Sequence, residues 1–226
     1  MHRIQLVSFL VLVLVLSWLP LSLQAENLQL PSRTKENAVT ATADLGTRDG
    51  ELGLQVGHQV PPFTSYTSEG QSISLEELLA DGKSMFFFYR GGWCPYCNYQ
   101  IRMLSLAYNK FAKKGVMPVA VSVDTTEGAT LAKKGYEVPF NVLSDSNLDA
   151  QKAFNVLINV DDATYERYKG YGIDLEEWSG QDHHMIAAPA VVLVDKDRTV
   201  LWSHVSRDYK TRPSVEQLLG VIDGLP

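Results

Sequence analysis

The chain has 226 residues, of which 45% are hydrophobic and 20% charged, with two cysteines and a formal net charge of −6. That acidic balance excludes the basic surface a nucleic-acid binder needs. Beyond its first segment the chain is long enough for one domain with a full core and too short for two comfortable ones.

Residues 1–25 read as a secretory signal peptide. A lone basic residue, Arg3, precedes an almost wholly apolar run over 4–19, then Pro20, small and polar residues, and Ala25. The run falls short of the about 20 residues of a membrane span. The predicted address is therefore outside the cytoplasm, in a periplasm or equivalent space, and an uncleaved segment would tether the chain to the membrane. Residues 26–50 are polar and without sustained periodicity, which predicts a linker. The domain is placed at 51–226.

From Val56 the texture changes. Pro61-Pro62-Phe63 enters an extended segment, and Ser74 followed by Glu77 marks a capped turn of helix. Met85-Phe86-Phe87-Phe88-Tyr89 is an unbroken apolar run of the kind that forms a strand buried on both faces. Ile101, Leu104, Tyr108 and Phe111 recur at helical spacing, and Lys113-Lys114-Gly115 supplies the stop. A strand is predicted over 116–123, a helix around 131–134, a strand over 140–143 and a helix over 147–154. Residues 158–184 read as an inserted helical or looped segment. A strand over 190–194, a turn over 195–198, a hairpin partner over 199–204 and a closing helix over 213–222, with Pro213 at its first position, complete the chain. Strands alternating with helices predict an α/β sandwich around a mixed sheet.

The two cysteines stand three apart, in Gly91-Gly92-Trp93-Cys94-Pro95-Tyr96-Cys97. Closing so short a loop removes only roughly 2 kcal/mol of unfolded-state entropy. The spacing is poor for stability and good for reversible chemistry. Cys94 follows a strand and opens a helix, so unpaired N–H groups and the helix dipole favour its thiolate. Cys94 is accordingly expected to be the exposed nucleophile, and Cys97, one turn in, the resolving thiol. Pro95 suits the first helical position, and Trp93, with Tyr96, offers a flat apolar surface for a thiol-bearing substrate. Ala187-Ala188-Pro189-Ala190 places a proline directly before a strand. Read alone it is a strand-entry proline; in a thioredoxin-like fold such a proline is often cis beside the dithiol, which would leave the backbone around Ala188 free to pair with an extended substrate.

These residues resemble the alkyl hydroperoxide reductase and thiol-specific antioxidant branch of the thioredoxin superfamily. Val60-Pro61-Pro62-Phe63 resembles its entry strand, Phe88-Tyr89-Arg90-Gly91-Gly92-Trp93-Cys94 its active-site approach, Val142-Leu143-Ser144-Asp145 its later strand and turn, and Val192-Leu193-Val194-Asp195-Lys196-Asp197 its hairpin. Cys-Pro-Tyr-Cys itself is similar to the glutaredoxin tetrapeptide. The resemblance implies a thioredoxin-like three-layer sandwich and an oxidoreductase with an antioxidant or redox role. It also implies differences. Family peroxidases carry Thr or Ser where this chain has Gly91 and Arg where it has Pro189, and thioredoxins carry a buried acid where it has Phe88. Arg90 is a candidate stand-in for the missing donors; otherwise it is a solvated strand-end charge.

The leading expectation is thiol-disulfide exchange through Cys94 and Cys97, with protein or small-molecule thiols and disulfides as substrates and a thioredoxin-like protein or glutathione as reductant. The alternative is a thiol peroxidase, in which a Cys94 sulfenic acid is resolved by Cys97. Neither needs a cofactor. Asp182-His183-His184 lacks further ligands at metal-binding spacing, so no metal is expected.

Overall fold

In a computed structural model the described residues are 28–31 and 38–225. The segment read as a signal peptide lies outside them. No helix among the described residues is long and apolar enough to cross a membrane.

In chain order the elements are β1 (Thr40–Ala41), β2 (Thr64–Thr67), β3 (Ser72–Ser74), α1 (Leu75–Leu78), β4 (Lys83–Phe88), α2 (Pro95–Ala112), β5 (Val116–Ser122), α3 (Thr126–Gly135), β6 (Asn141–Ser144), α4 (Asp149–Ala153), β7 (Leu157–Asn159), α5 (Asp162–Gly170), α6 (Leu175–Ser179), β8 (Met185–Ala187), β9 (Ala190–Val194), β10 (Val200–Val205), β11 (Thr211–Arg212) and α7 (Val215–Asp223). A seven-stranded sheet runs β10-β9-β4-β5-β6-β2-β3. Its centre, β4 with β5 and β5 with β6, is parallel, while β9 and β2 add antiparallel. Helices cover both faces, which gives the three layers of a thioredoxin-like sandwich.

The apolar run of β4 shows why this strand is central. Met85 and Phe87 point into one core with Ile101, Leu104 and Phe111 of α2, and Phe86 and Phe88 into the other with Leu75 and Phe154. Phe154 packs against the rings of Phe63, Phe86 and Phe88. Each such side chain contributes about 1.5–3 kcal/mol on burial, so a strand feeding two cores admits no polar position between Met85 and Phe88.

Caps set the helix starts. Ser74 and Glu77 form the expected capping box on α1. At the last helix Ser214, not Pro213, is the cap, and its box with Gln217 places Pro213 outside the helix. A side chain that accepts the first free N–H outcompetes the merely permissive proline.

Two regions add contacts the sequence did not predict. Part of 26–50 is docked on the domain: Thr40–Ala41 pairs in parallel with Thr211–Arg212, and Leu28 and Thr42 are buried. The inserted segment holds α5 and α6 between β7 and β8, which pair with each other as a separate two-stranded sheet. Both run across the end of the sheet where β4 meets α2.

Candidate active site

The β4–α2 turn is built for close packing. Gly91 has φ +147°, and a Cβ there would lie 2.3 Å from Trp93 Nε1 and 2.8 Å from Asp124 Oδ1. A Cβ on Gly92 would lie 2.8 Å from the Trp178 ring. The Thr or Ser of a family peroxidase therefore has no room at position 91. The turn is held from two sides: the Gly92 N–H donates to Asp124 Oδ2 at 2.8 Å, and Asn98 Nδ2 donates to the Gly92 carbonyl at 2.6 Å.

Cys94 caps α2. Its backbone is extended, Pro95 follows at the helix start, and Sγ accepts the Cys97 N–H at 3.3 Å. Cys94 and Cys97 are joined as a disulfide, with Cα atoms 5.3 Å apart. The expectation of an exposed Cys94 is not met, since Cys94 is 1% and Cys97 0% exposed. The reason lies far along the chain. The segment 206–212 folds over this end: Tyr209 packs edge-on to Tyr96, and Arg212 reaches Cys97.

Sequence analysis assigns no role to Arg212. It is buried in β11, where Nε donates to Gln100 Oε1 at 2.9 Å and Nη2 donates to Cys97 Sγ at 3.4 Å. Burial, with the nearby charge of Arg90 adding, lowers its guanidinium to about 9, still cationic at neutral pH. Its Nη1 has no partner among the described residues. Each sulfur thus has an N–H donor: the helix start serves Cys94, and a cation serves Cys97. Such donors favour a thiolate over a thiol.

Arg90 is not solvated, and among the described residues no carboxylate pairs with it. Its guanidinium carbon stands 4.6 Å from the Trp93 ring centre and 4.4 Å from that of Tyr209, and Nη2 donates to the Tyr168 hydroxyl. Burial lowers its pKa from the ordinary arginine value. Trp93 is buried and packs at a tilt against Tyr168, ring centres 5.5 Å apart, so it forms part of this cage more than an open platform.

Pro189 requires a correction. No peptide bond among the described residues is cis. Nor is the backbone beside it open for a substrate strand. The Ala188 N–H donates to the Val156 carbonyl at 2.6 Å, and the Pro189 carbonyl accepts the Ser206 N–H at 3.0 Å. The β7–β8 pair of the insertion extends to Ala188 and occupies the edge that a cis-proline loop would leave free.

A buried acid does lie beside the turn, at Asp124 just after β5. It is buried, accepts from Ser122 Oγ and the Gly92 N–H, and burial raises its carboxyl to about 6 against the pull of those hydrogen bonds. The two adjacent histidines serve structural contacts instead: His183 meets the Ser146 carbonyl and His184 meets Glu176 Oε1 at 2.7 Å.

The AhpC/TSA family model matches residues 56–203, a stretch that contains the disulfide, Asp124 and Arg90. The chain belongs to the AhpC/TSA family. It is an oxidoreductase of the peroxiredoxin and thiol-disulfide oxidoreductase group. Among curated relatives, a putative peroxiredoxin bcp of Coxiella burnetii is 27% identical over 119 residues, 53% of this chain and 78% of that protein. A thiol-disulfide oxidoreductase ResA of Bacillus cereus is 29% identical over 121 residues, 53% of this chain and 69% of that protein. The peroxidoxin BcpB structure from Mycobacterium tuberculosis superposes with a TM-score of 0.60 at 18% identity, covering 78% of this chain and 99% of that one, which establishes the shared fold. This AhpC/TSA member resembles peroxidases and exchange enzymes alike, and the choice between them rests on its own site.

Proposed function

We propose that this AhpC/TSA member is an exported thiol-disulfide oxidoreductase that cycles Cys94 and Cys97 between dithiol and disulfide. The observation that carries the proposal is the donor on each sulfur, above all Arg212 Nη2 at 3.4 Å from Cys97 Sγ. An incoming thiolate attacks Cys94 Sγ, the disulfide bond breaks, and the electron pair leaves on Cys97, where Arg212 stabilises it. Exchange accelerates as the leaving thiolate becomes a better-stabilised anion. The reverse sequence oxidises a substrate dithiol. Export rests on the leader pattern in residues 1–25.

A second reading, thiol peroxidase, is favoured by the relatives named peroxiredoxin. It would use a Cys94 sulfenic acid that Cys97 condenses with, releasing water. The hydroxyl expected to orient peroxide has no place at Gly91. Stopped-flow tryptophan fluorescence of the reduced protein separates the two. Oxidation by a disulfide much faster than by hydrogen peroxide is expected. Peroxide oxidation outpacing exchange would reverse the assignment.

A further inference from the structure

A cleft of about 270 Å³ opens at Arg90, four residues before Cys94, lined by Arg90, Tyr168, Tyr209, Arg207, Thr164 and Pro189 among others. Its chemistry is unbalanced. Asp161 is the one carboxylate on its wall, and it is engaged as the cap of α5, accepting the Thr164 N–H at 2.8 Å and hydroxyl at 3.0 Å. Arg207 is offset by Asp49 at 3.6 Å. Arg90 has no such partner. It is 7% exposed, lies 4.6 Å from the Trp93 ring centre and 4.4 Å from that of Tyr209, and is hydrogen-bonded only through Nη2, while Nε and Nη1 have no protein partner among the described residues and are not sealed from solvent. Burying an unpaired guanidinium is costly, and folding tolerates it where a ligand completes the pair. The rings satisfy the cation without neutralising it, and its free N–H groups suit the planar two-oxygen shape of a carboxylate.

We infer that this cleft is a carboxylate subsite for the exchange reaction, and that the enzyme takes a low-molecular-weight thiol bearing a carboxylate. The inference rests on the exchange activity proposed above. The cleft is small for a peptide and sufficient for a short organic acid. Arg90 touches the Trp93 ring, next in sequence to Cys94, and its charge acts on Arg212, which holds Cys97. A thiol anchored at Arg90 is therefore held against the turn that carries Cys94. Its thiolate attacks Cys94 Sγ and the electron pair of the broken S–S bond goes to Cys97. A second thiolate attacks the substrate sulfur of the mixed disulfide, releasing the substrate disulfide and Cys94 thiolate. Two thiols supply the two electrons.

The test is the rate at which 3-mercaptopropionate, 2-mercaptoethanol and cysteamine reduce the oxidised protein, each corrected for its thiolate fraction. The carboxylate thiol is expected to be faster than cysteamine by about tenfold or more, the weight of one charge-assisted contact. In Arg90→Gln that ratio is expected to fall to about one. On the unaltered protein, butyrate is expected to slow 3-mercaptopropionate where sodium chloride at equal ionic strength does not, which holds the test open should the variant fail to fold. Equal rates for the three thiols, or a carboxylate preference that butyrate leaves untouched, would overturn the subsite and leave exchange standing. Reduction by none of the three would overturn exchange itself.

Discussion

Two regions meet at the disulfide, and they differ in how they act. The turn from β4 into α2 acts locally: Gly91, Gly92, Pro95 and the cap geometry of Cys94 bring the cysteines together within seven consecutive residues. The region that closes over it is assembled from remote pieces: Asp124 after β5, Tyr168 and Trp178 from the insertion, and Tyr209 and Arg212 from the 206–212 segment. The local turn makes the disulfide. The remote pieces bury it, charge its surroundings and decide which thiol it meets.

The comparison breaks most severely at Gly91. Gly91→Ala forces a left-handed backbone on a residue with a side chain and drives Cβ into Trp93 and Asp124. Strain and overpacking together are expected to cost about 2–5 kcal/mol, read as a drop in the urea midpoint.

Asp124 joins the two regions and makes their junction pH-sensitive. Its carboxyl is raised from 3.8 to about 6 by burial, so the folded state holds the proton more tightly than the unfolded chain. Stability from this group is therefore present below about pH 4, declines as pH rises through 6, and stays lower above. The shift corresponds to about 3 kcal/mol. Asp145, raised similarly, adds to the same decline. Urea unfolding between pH 4 and 7 should show the decline, and Asp124→Asn should flatten about half of it; an unchanged profile in the variant would contradict the assignment.

Arg212 is the remote region's hold on the chemistry. Arg212→Gln removes the donor from Cys97, destabilises the reduced thiolate and makes the disulfide harder to reduce. A hydrogen bond to a charged group contributes about 1.5–3 kcal/mol, so the reduction potential should fall by roughly 30–60 mV. A glutathione titration of the unaltered protein is expected to lie near the glutaredoxin range of roughly −200 to −230 mV; a variant that titrates with the unaltered protein would remove Arg212 from the mechanism.

What was legible in the sequence follows the same division. The Cys94–Cys97 pair, the capped start of α2 and the apolar β4 were readable because their signals lie within a few residues of one another. The burial of Cys94 was not, since it depends on Arg212 and Tyr209 more than a hundred residues away. Pro189 misled because the motif describes a bare loop, and this chain covers that edge with the β7–β8 pair. Arg90 carried a signal only in hindsight of topology: an arginine directly after a doubly buried strand is held wherever the chain crosses, and here Tyr168 and Tyr209 cross it. The polar texture of 26–50 likewise hid the pairing of Thr40–Ala41 with β11, since backbone hydrogen bonds leave little mark on composition.

The most direct test of thiol-disulfide exchange at Cys94 is trapping in the compartment where the enzyme works. Cys97→Ser leaves Cys94 without its partner, and mixed disulfides through Cys94 are expected to accumulate and to resolve by mass spectrometry into thiol-bearing substrates. Accumulation of Cys94 sulfenic or sulfinic acid in their place, or mixed disulfides forming only through Cys97 in Cys94→Ser, would contradict the account.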